Sequence, residues 1–253
     1  MVDLCDVFGR IMRARQERRM IASALTRLAP RVVRQLQRPS LVEALMGGTG
    51  LMDVLAQICP EWRQYDHELT VLRRELTERY SSHSLRFVQQ YAIESATEAL
   101  IYVLVRTQQP ALVVETGVAN GNTTVVLLAA LRANGSGVLH STDVCDGVGG
   151  LLTLEERRAW NFHRLPPGGS RAAFSHLLAD LGPIDIFLHD SEHTYAWQRF
   201  EYESVFPRLT PGGWLISDDV DASYAFLDFR DQHGLTAVAG LDNRKVVALI
   251  RHI

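Results

Sequence analysis

Lysine is almost missing from this chain. Of 26 lysines and arginines in 253 residues, only Lys245 is a lysine. That usage reads as the codon bias of a GC-rich genome rather than as a demand of the fold. Cysteine is scarce too. Cys5, Cys59 and Cys145 stand far apart and form no CxxC pair, which argues against a zinc site or a disulfide framework. No apolar run approaches the ~20 residues of a membrane span, and the start has no signal-peptide core. The expectation is a protein of the reducing cytoplasm with no membrane partner. A net charge of −3 gives no general case for nucleic acid.

The charge is unevenly spread. Residues 1–40 carry nine arginines against Asp3, Asp6 and Glu17, a net of +6, which leaves −9 for the rest. A solvated helix face explains such an arm more simply than an acidic partner or a membrane does.

What is present suits one sizeable α/β domain, alone or with an appendage: 47% of residues are hydrophobic and 22% charged. Leu4, Val7, Phe8, Ile11 and Met12 follow helical spacing, and Ile21, Leu25, Leu28, Val32 and Leu36 continue it towards Pro39. A helical stretch at 41–46 stops at GGTG (47–50). That quartet lacks the preceding strand and the following Lys-Ser/Thr of a phosphate loop, so it reads as a helix break. Helical patterns resume at 51–58, 67–79 and 84–107.

The rhythm changes at residue 111. Apolar runs at 111–115, 137–143, 184–190, 214–219 and 246–253 read as strands, the last as an edge strand. Helical patterns at 122–133, 154–160, 171–181 and 196–209 alternate with them. The expected fold is α/β, a Rossmann-like, doubly wound, mostly parallel sheet with an N-terminal helical region. Ligands of such sheets bind at the carboxyl edge.

Two features at that edge suit a nucleoside cofactor. The first strand ends in E-T-G-V-A-N-G, Glu115 to Gly121, with G-x-x-x-G in place of the dinucleotide G-x-G-x-x-G. Gly117 and Gly121 let the backbone approach a ligand. An acid there is poorly matched to pyrophosphate and well matched to the ammonium of an amino-acid-like cofactor. Asp143 closes the second strand, where a carboxylate can accept both ribose hydroxyls. Together these suit S-adenosylmethionine (SAM) better than NAD.

Residues from about 88 to 253 resemble the class I SAM-dependent methyltransferases. Within them the resemblance is to metal-dependent O-methyltransferases related to macrolide sugar methyltransferases and cephalosporin-hydroxylase-like proteins. VVETGVANGNTT matches their first motif and FLHDSEHTY…FPRLTPGGWLISDDV their later block. The resemblance implies that Glu115, Gly117 and Gly121 contact the cofactor and that Asp143 holds its ribose. It also sets Ser170 beside the adenine, although Gly169 replaces the acid usual before that serine. On this reading residues 88–253 are the SAM-binding domain. Residues 1–87 lie outside the resemblance; their amphipathic helical stripes lead us to expect a lid or oligomerisation region that walls the acceptor pocket and supports a homo-oligomer, a dimer, and whose loss should spoil acceptor binding more than SAM binding.

Asp190 ends one strand, and Asp218 and Asp219 end its neighbour. Strands lie about 5 Å apart, so the three carboxylates can converge and would repel one another unless a cation joined them. The expectation is a site for Mg²⁺, or another divalent cation, that also binds acceptor hydroxyls. His193, at the D-x-x-H spacing of the sugar methyltransferases, is the expected catalytic base. Simpler roles stay open at this point: Asp190 as a helix cap, Asp218 and Asp219 as turn residues, His193 as a donor to a carbonyl. The function expected is Mg²⁺-dependent O-methylation of a small hydroxylated acceptor, a sugar or phenol of secondary metabolism. The alternatives are metal-independent chemistry on the same fold, such as N-methylation, and a non-catalytic SAM-binding protein.

Overall fold

The structure is a computed structural model and describes residues 49–88, 93–166, 168–243 and 245–253. The expectations for the arginine-rich arm and for helices before residue 47 fall outside them. Three helices come first: α1 (Leu51–Ile58), α2 (Asp66–Ser82) and α3 (Ser95–Gln108). Then strands and helices alternate as β1 (Leu112–Thr116), α4 (Asn122–Asn134), β2 (Val138–Asp143), α5 (Leu154–Arg158) and β3 (Trp160–Arg164). The second half runs α6 (Ser170–Asp180), β4 (Ile184–His189), α7 (Tyr195–Val205), β5 (Leu209–Ser217), α8 (Ala225–Gln232), β6 (Ala237–Asp242) and β7 (Lys245–Arg251).

The seven strands lie in the order β3-β2-β1-β4-β5-β7-β6. β1 to β5 pair in parallel, and β7 is antiparallel to both β5 and β6. The strand order reverses between β1 and β4, the crevice where open α/β sheets bind ligands. Because β7 runs backwards, its first residue, Lys245, arrives at the carboxyl edge of β5.

Both faces of the sheet are covered, and the side chains show it with a period of two. Val113, Ile186, Leu188, Ile216, Val247 and Leu249 pack with α1 to α4 on one face. Val114, Phe187, Leu215, Val246, Ala248 and Ile250 pack with α6, α7 and α8 on the other. α1 and α2 belong to the first core: Leu51, Val54, Leu55, Leu69, Leu72 and Leu76 are all buried there. Ion pairs seat α2 further. Arg79 grips Glu156 of α5 at 2.7 Å, and Glu68 holds Arg106 of α3 at 2.8 Å.

Several boundaries differ from the sequence expectation. The helix expected from residue 84 begins at Ser95. β3 (Trp160–Arg164) takes in Trp160, expected to end a helix, and residues 161–164, for which no element was expected; Trp160 packs on Phe162. α8 and β6 were not expected at all. β7 is an interior strand, not an edge; the edges are β3 and β6. Its unbroken buried run, Val246 to Ile250, is the mark of a strand covered on both faces.

Candidate active site at the carboxyl edge

The ladder of the sheet continues one residue past the strands, and this places the motif residues side by side. Gly117 N–H donates to the Thr142 carbonyl, Asp190 N–H to Thr116, and Asp218 N–H to His189, each at 2.9 Å. Asp143, Gly117, Asp190 and Asp218 therefore form one row across β2, β1, β4 and β5, and the side chain of Lys245 reaches the end of that row from β7.

The cofactor turn is tightly built. Gly117 has φ of +86°, and a Cβ there would lie 2.0 Å from the Asp190 carbonyl oxygen. The turn and the Asp190 backbone are thus in direct contact, which no residue larger than glycine permits. Gly121, φ +88°, is pressed against Leu152 and Gly149 and opens α4. Asp143 holds the turn from below: one carboxylate oxygen accepts from Val118 N–H (2.9 Å) and Ala119 N–H (3.2 Å), the other from Cys145 N–H (2.8 Å). Asn120 clasps the backbone of Phe87 on both sides, at 3.1 and 2.8 Å.

Glu115 is wholly buried. Its Oε2 accepts from Thr124 (2.9 Å) and Ser141 (2.6 Å), while Oε1 has no partner among the described residues. Burial pushes the carboxyl up to about 7, although both hydroxyls pull the other way. Asn122, the first residue of α4, has a buried Nδ2 that is also unpartnered. One orphan acceptor and one orphan donor at the same turn suit the two ends of an amino-acid group, an ammonium and a carboxylate. The residues present fit the SAM expectation in that respect. Asn122, Thr124 and Ser141 were missed by the sequence reading; the NTT that follows the glycine was the available signal. Ser170 starts α6 and donates to the Pro166 carbonyl at 2.9 Å.

The second half of the row carries the charge. His193 Nε2 stands 3.8 Å from Asp190 Oδ1 and 3.7 Å from Asp219 Oδ2. Helix α7 is capped by Thr194, whose hydroxyl accepts from Trp197 N–H, so Asp190 is not its cap. Glu192 points to solvent. Asp219 has φ of +49°, a left-handed conformation that Asp tolerates in turns. Behind His193 lies an enclosed network. His189 pairs with Glu201, which also accepts from Thr116 (2.9 Å), Ser191 (3.0 Å) and Trp197 (2.6 Å). The His189 ring meets His193 edge-on at 5.2 Å.

Lys245 Nζ donates to Asp218 Oδ2 at 3.0 Å, and Asp218 Oδ1 is buried without a partner. Burial raises the Asp190 carboxyl well above its ordinary value; Asp218 raises it further and Lys245 draws it back. Burial raises Asp218 in the same way, against the pull of Lys245. Burial alone would lower the ammonium, but Asp218, Asp190 and Asp219 outweigh it and hold Lys245 firmly protonated.

The expected metal ligands are therefore neighbours, but the cation bonded to Asp218 is an ammonium. Among the described residues no three His, Cys, Asp or Glu side chains are placed to hold a metal ion. The donor set as arranged does not fit the expected Mg²⁺ site. No helix of the described residues is long and apolar enough to cross a membrane.

Residues 114–220 match the family described as a methyltransferase domain. A curated relative, the 8-demethyl-8-alpha-L-rhamnosyl tetracenomycin-C 2'-O-methyltransferase of Streptomyces olivaceus, is 32% identical over 108 residues. That match spans 42% of this chain and 27% of the relative. Among solved structures, the O-methyltransferase from Bacillus cereus in complex with SAH aligns with a TM-score of 0.52 at 12% identity, over 72% of this chain and 90% of that one. The O-methyltransferase TomG from Streptomyces achromogenes, in complex with SAM, gives 0.52 at 13%, over 73% and 89%. The methyltransferase-domain match over residues 114–220 thus agrees with the resemblance read from the motifs, and the solved structures share the fold.

Proposed function

We propose that the methyltransferase domain transfers a methyl group from SAM to a hydroxyl of a small molecule of secondary metabolism. The observation that carries this reading is the contact between the two halves of the row: the Gly117 turn abuts Asp190, and His193 stands over Asp190 and Asp219. A cofactor held at the turn and a proton acceptor then face one crevice.

Glu115 and Asn122 would receive the ammonium and carboxylate of the cofactor, Gly117 and Gly121 shape its turn, and Asp143 takes its ribose hydroxyls. Ser170, opening α6, would border the adenine. When bound, SAM supplies an electrophilic methyl group on a sulfonium. His193 Nε2 accepts the acceptor's hydroxyl proton as an O–C bond forms and the S–C bond breaks, giving the methyl ether and S-adenosylhomocysteine. Asp190 and Asp219 favour the imidazolium that results, because opposite charges within about 4 Å stabilise one another. The rhamnosyl hydroxyl named for the curated relative makes a deoxysugar glycoside the first acceptor class to try.

The test uses SAM with p-nitrophenyl α-L-rhamnoside and, separately, catechol, read by mass spectrometry. His193→Ala should reduce turnover about 10²–10⁴-fold and leave SAM binding by calorimetry within about twofold. Methyl transfer to an amine in place of either hydroxyl acceptor, or full turnover by the variant, would overturn the reading.

A further inference from the structure

Three carboxylates at one sheet edge call for a cation, and the chain brings its own. A chain that answers nearly every need for positive charge with arginine uses its one lysine here. The choice has a geometric reason. An ammonium is a compact point charge, whereas a guanidinium is a planar fork that needs space for five N–H groups. The Asp218 side chain is only 2% exposed, so its partner must reach it inside an enclosed site, which suits the more compact group.

The position is also held firmly. Lys245 is the first residue of β7, paired with Asp242 across the β6–β7 ladder, and the next residue, Val246, donates its N–H to Asp221. The lysine side chain is itself only 18% exposed. A metal ion bonded to Asp218 Oδ2 would sit about 2.1 Å from that oxygen, which the ammonium already occupies at 3.0 Å. For a metal to bond that oxygen, a largely enclosed ammonium must leave Asp218, or two cations must share its carboxylate.

We infer that the Lys245 ammonium is the resident cation of this site, standing where the motif calls for a divalent metal. It neutralises the carboxylates and, on the proposed O-methyltransferase reading, donates a hydrogen bond to the acceptor oxygen as His193 removes its proton. The charge balance differs from that of a metal site: a single positive charge faces Asp190, Asp218 and Asp219. The surplus negative charge on the carboxylates is offset by the positive imidazolium of His193 and the positive sulfonium of the approaching cofactor.

The experiment needs no acceptor. Mn²⁺ binding to the full-length chain is followed by electron paramagnetic resonance and calorimetry, and SAM binding is measured on the same samples. The wild type should bind no stoichiometric Mn²⁺ below roughly millimolar concentration. Lys245→Ala should gain one Mn²⁺ with affinity at least about tenfold tighter, and Asp218→Asn added to it should remove the gain. Should Lys245→Ala fail to fold, Lys245→Met with Asp218→Asn removes both charges and should restore the thermal transition. A wild type that binds one Mn²⁺ at micromolar levels, or a folded Lys245→Ala that gains none, would overturn the inference. Failure to bind SAM with the Mn²⁺ pattern as expected would count against the methyltransferase reading alone.

Discussion

At the scale of single residues, Glu115 gives the clearest measurable consequence. Its carboxyl titrates near 7 in the folded chain and at an ordinary, lower value when unfolded. The folded state therefore binds the extra proton between those two values. Stability from this group is fully present below the unfolded pKa and is lost as pH rises through about 7. For a group this deeply buried the loss amounts to about 3 kcal/mol. Urea unfolding at pH 5 and pH 8 should show that decline in the wild type and lose it in Glu115→Gln. SAM affinity should move the opposite way, rising through the same range, because an ammonium ligand prefers the ionised carboxylate. A wild type and variant with the same pH slope would remove Glu115 from both accounts. The sequence named this residue, along with Gly117, Asp143, Asp190, His193, Asp218 and Asp219, because strand ends and turn glycines are local signals. It did not name Lys245, which is 27 residues from Asp218 along the chain and reaches it only through an antiparallel strand. Nor did it name Glu201, whose partners come from β1, β4 and α7.

At the scale of elements, the contact between the cofactor turn and Asp190 can be tested by adding one methyl group. Gly117→Ala demands a positive φ from alanine and drives its Cβ into the Asp190 carbonyl. The ends of β1 and β4 must separate, which moves Asp190 away from His193. We expect a loss of at least about 2 kcal/mol in unfolding free energy and loss of SAM binding by calorimetry. Breaking the tie between α2 and α5 acts elsewhere. Arg79→Met leaves the buried Glu156 without its cation, with only the Thr153 N–H still donating to it, and should cost about 3 kcal/mol in denaturant unfolding, with SAM affinity of the folded protein unchanged. The elements themselves were legible wherever the apolar period was long: α4, β1, β2 and β4 lie within a residue or two of expectation. β3 was hidden because EERR continues a helical charge pattern up to Trp160, and the strand has only five residues. α8 and β6 were obscured by their short, mixed patterns. β7 was found but misplaced, since its position beside β5 depends on a crossover that local sequence does not encode.

At the scale of the whole molecule, the question is what the N-terminal third contributes. The amphipathic pattern of the early helices leads to the expectation of a lid over the acceptor pocket, whose loss would spoil acceptor binding more than SAM binding. The part within the described residues is more deeply built in. Leu51, Val54, Leu55, Leu69, Leu72 and Leu76 are each no more than 4% exposed, and they meet α3 and the same sheet face as Val113, Ile186 and Ile216. Gly240 of β6 has no room even for a Cβ against the Leu51 backbone. Six side chains at about 1.5–3 kcal/mol each match or exceed the 5–15 kcal/mol that typically separates folded from unfolded chains. Deleting residues 49–82 should therefore abolish cooperative unfolding and SAM binding together, because the remaining sheet would show an uncovered apolar face. Two measurements on the truncated chain decide it: a thermal melt by circular dichroism and a calorimetric SAM titration. A sharp melt with SAM affinity near that of the full chain, and only the acceptor KM raised, would mean that these helices are the lid after all.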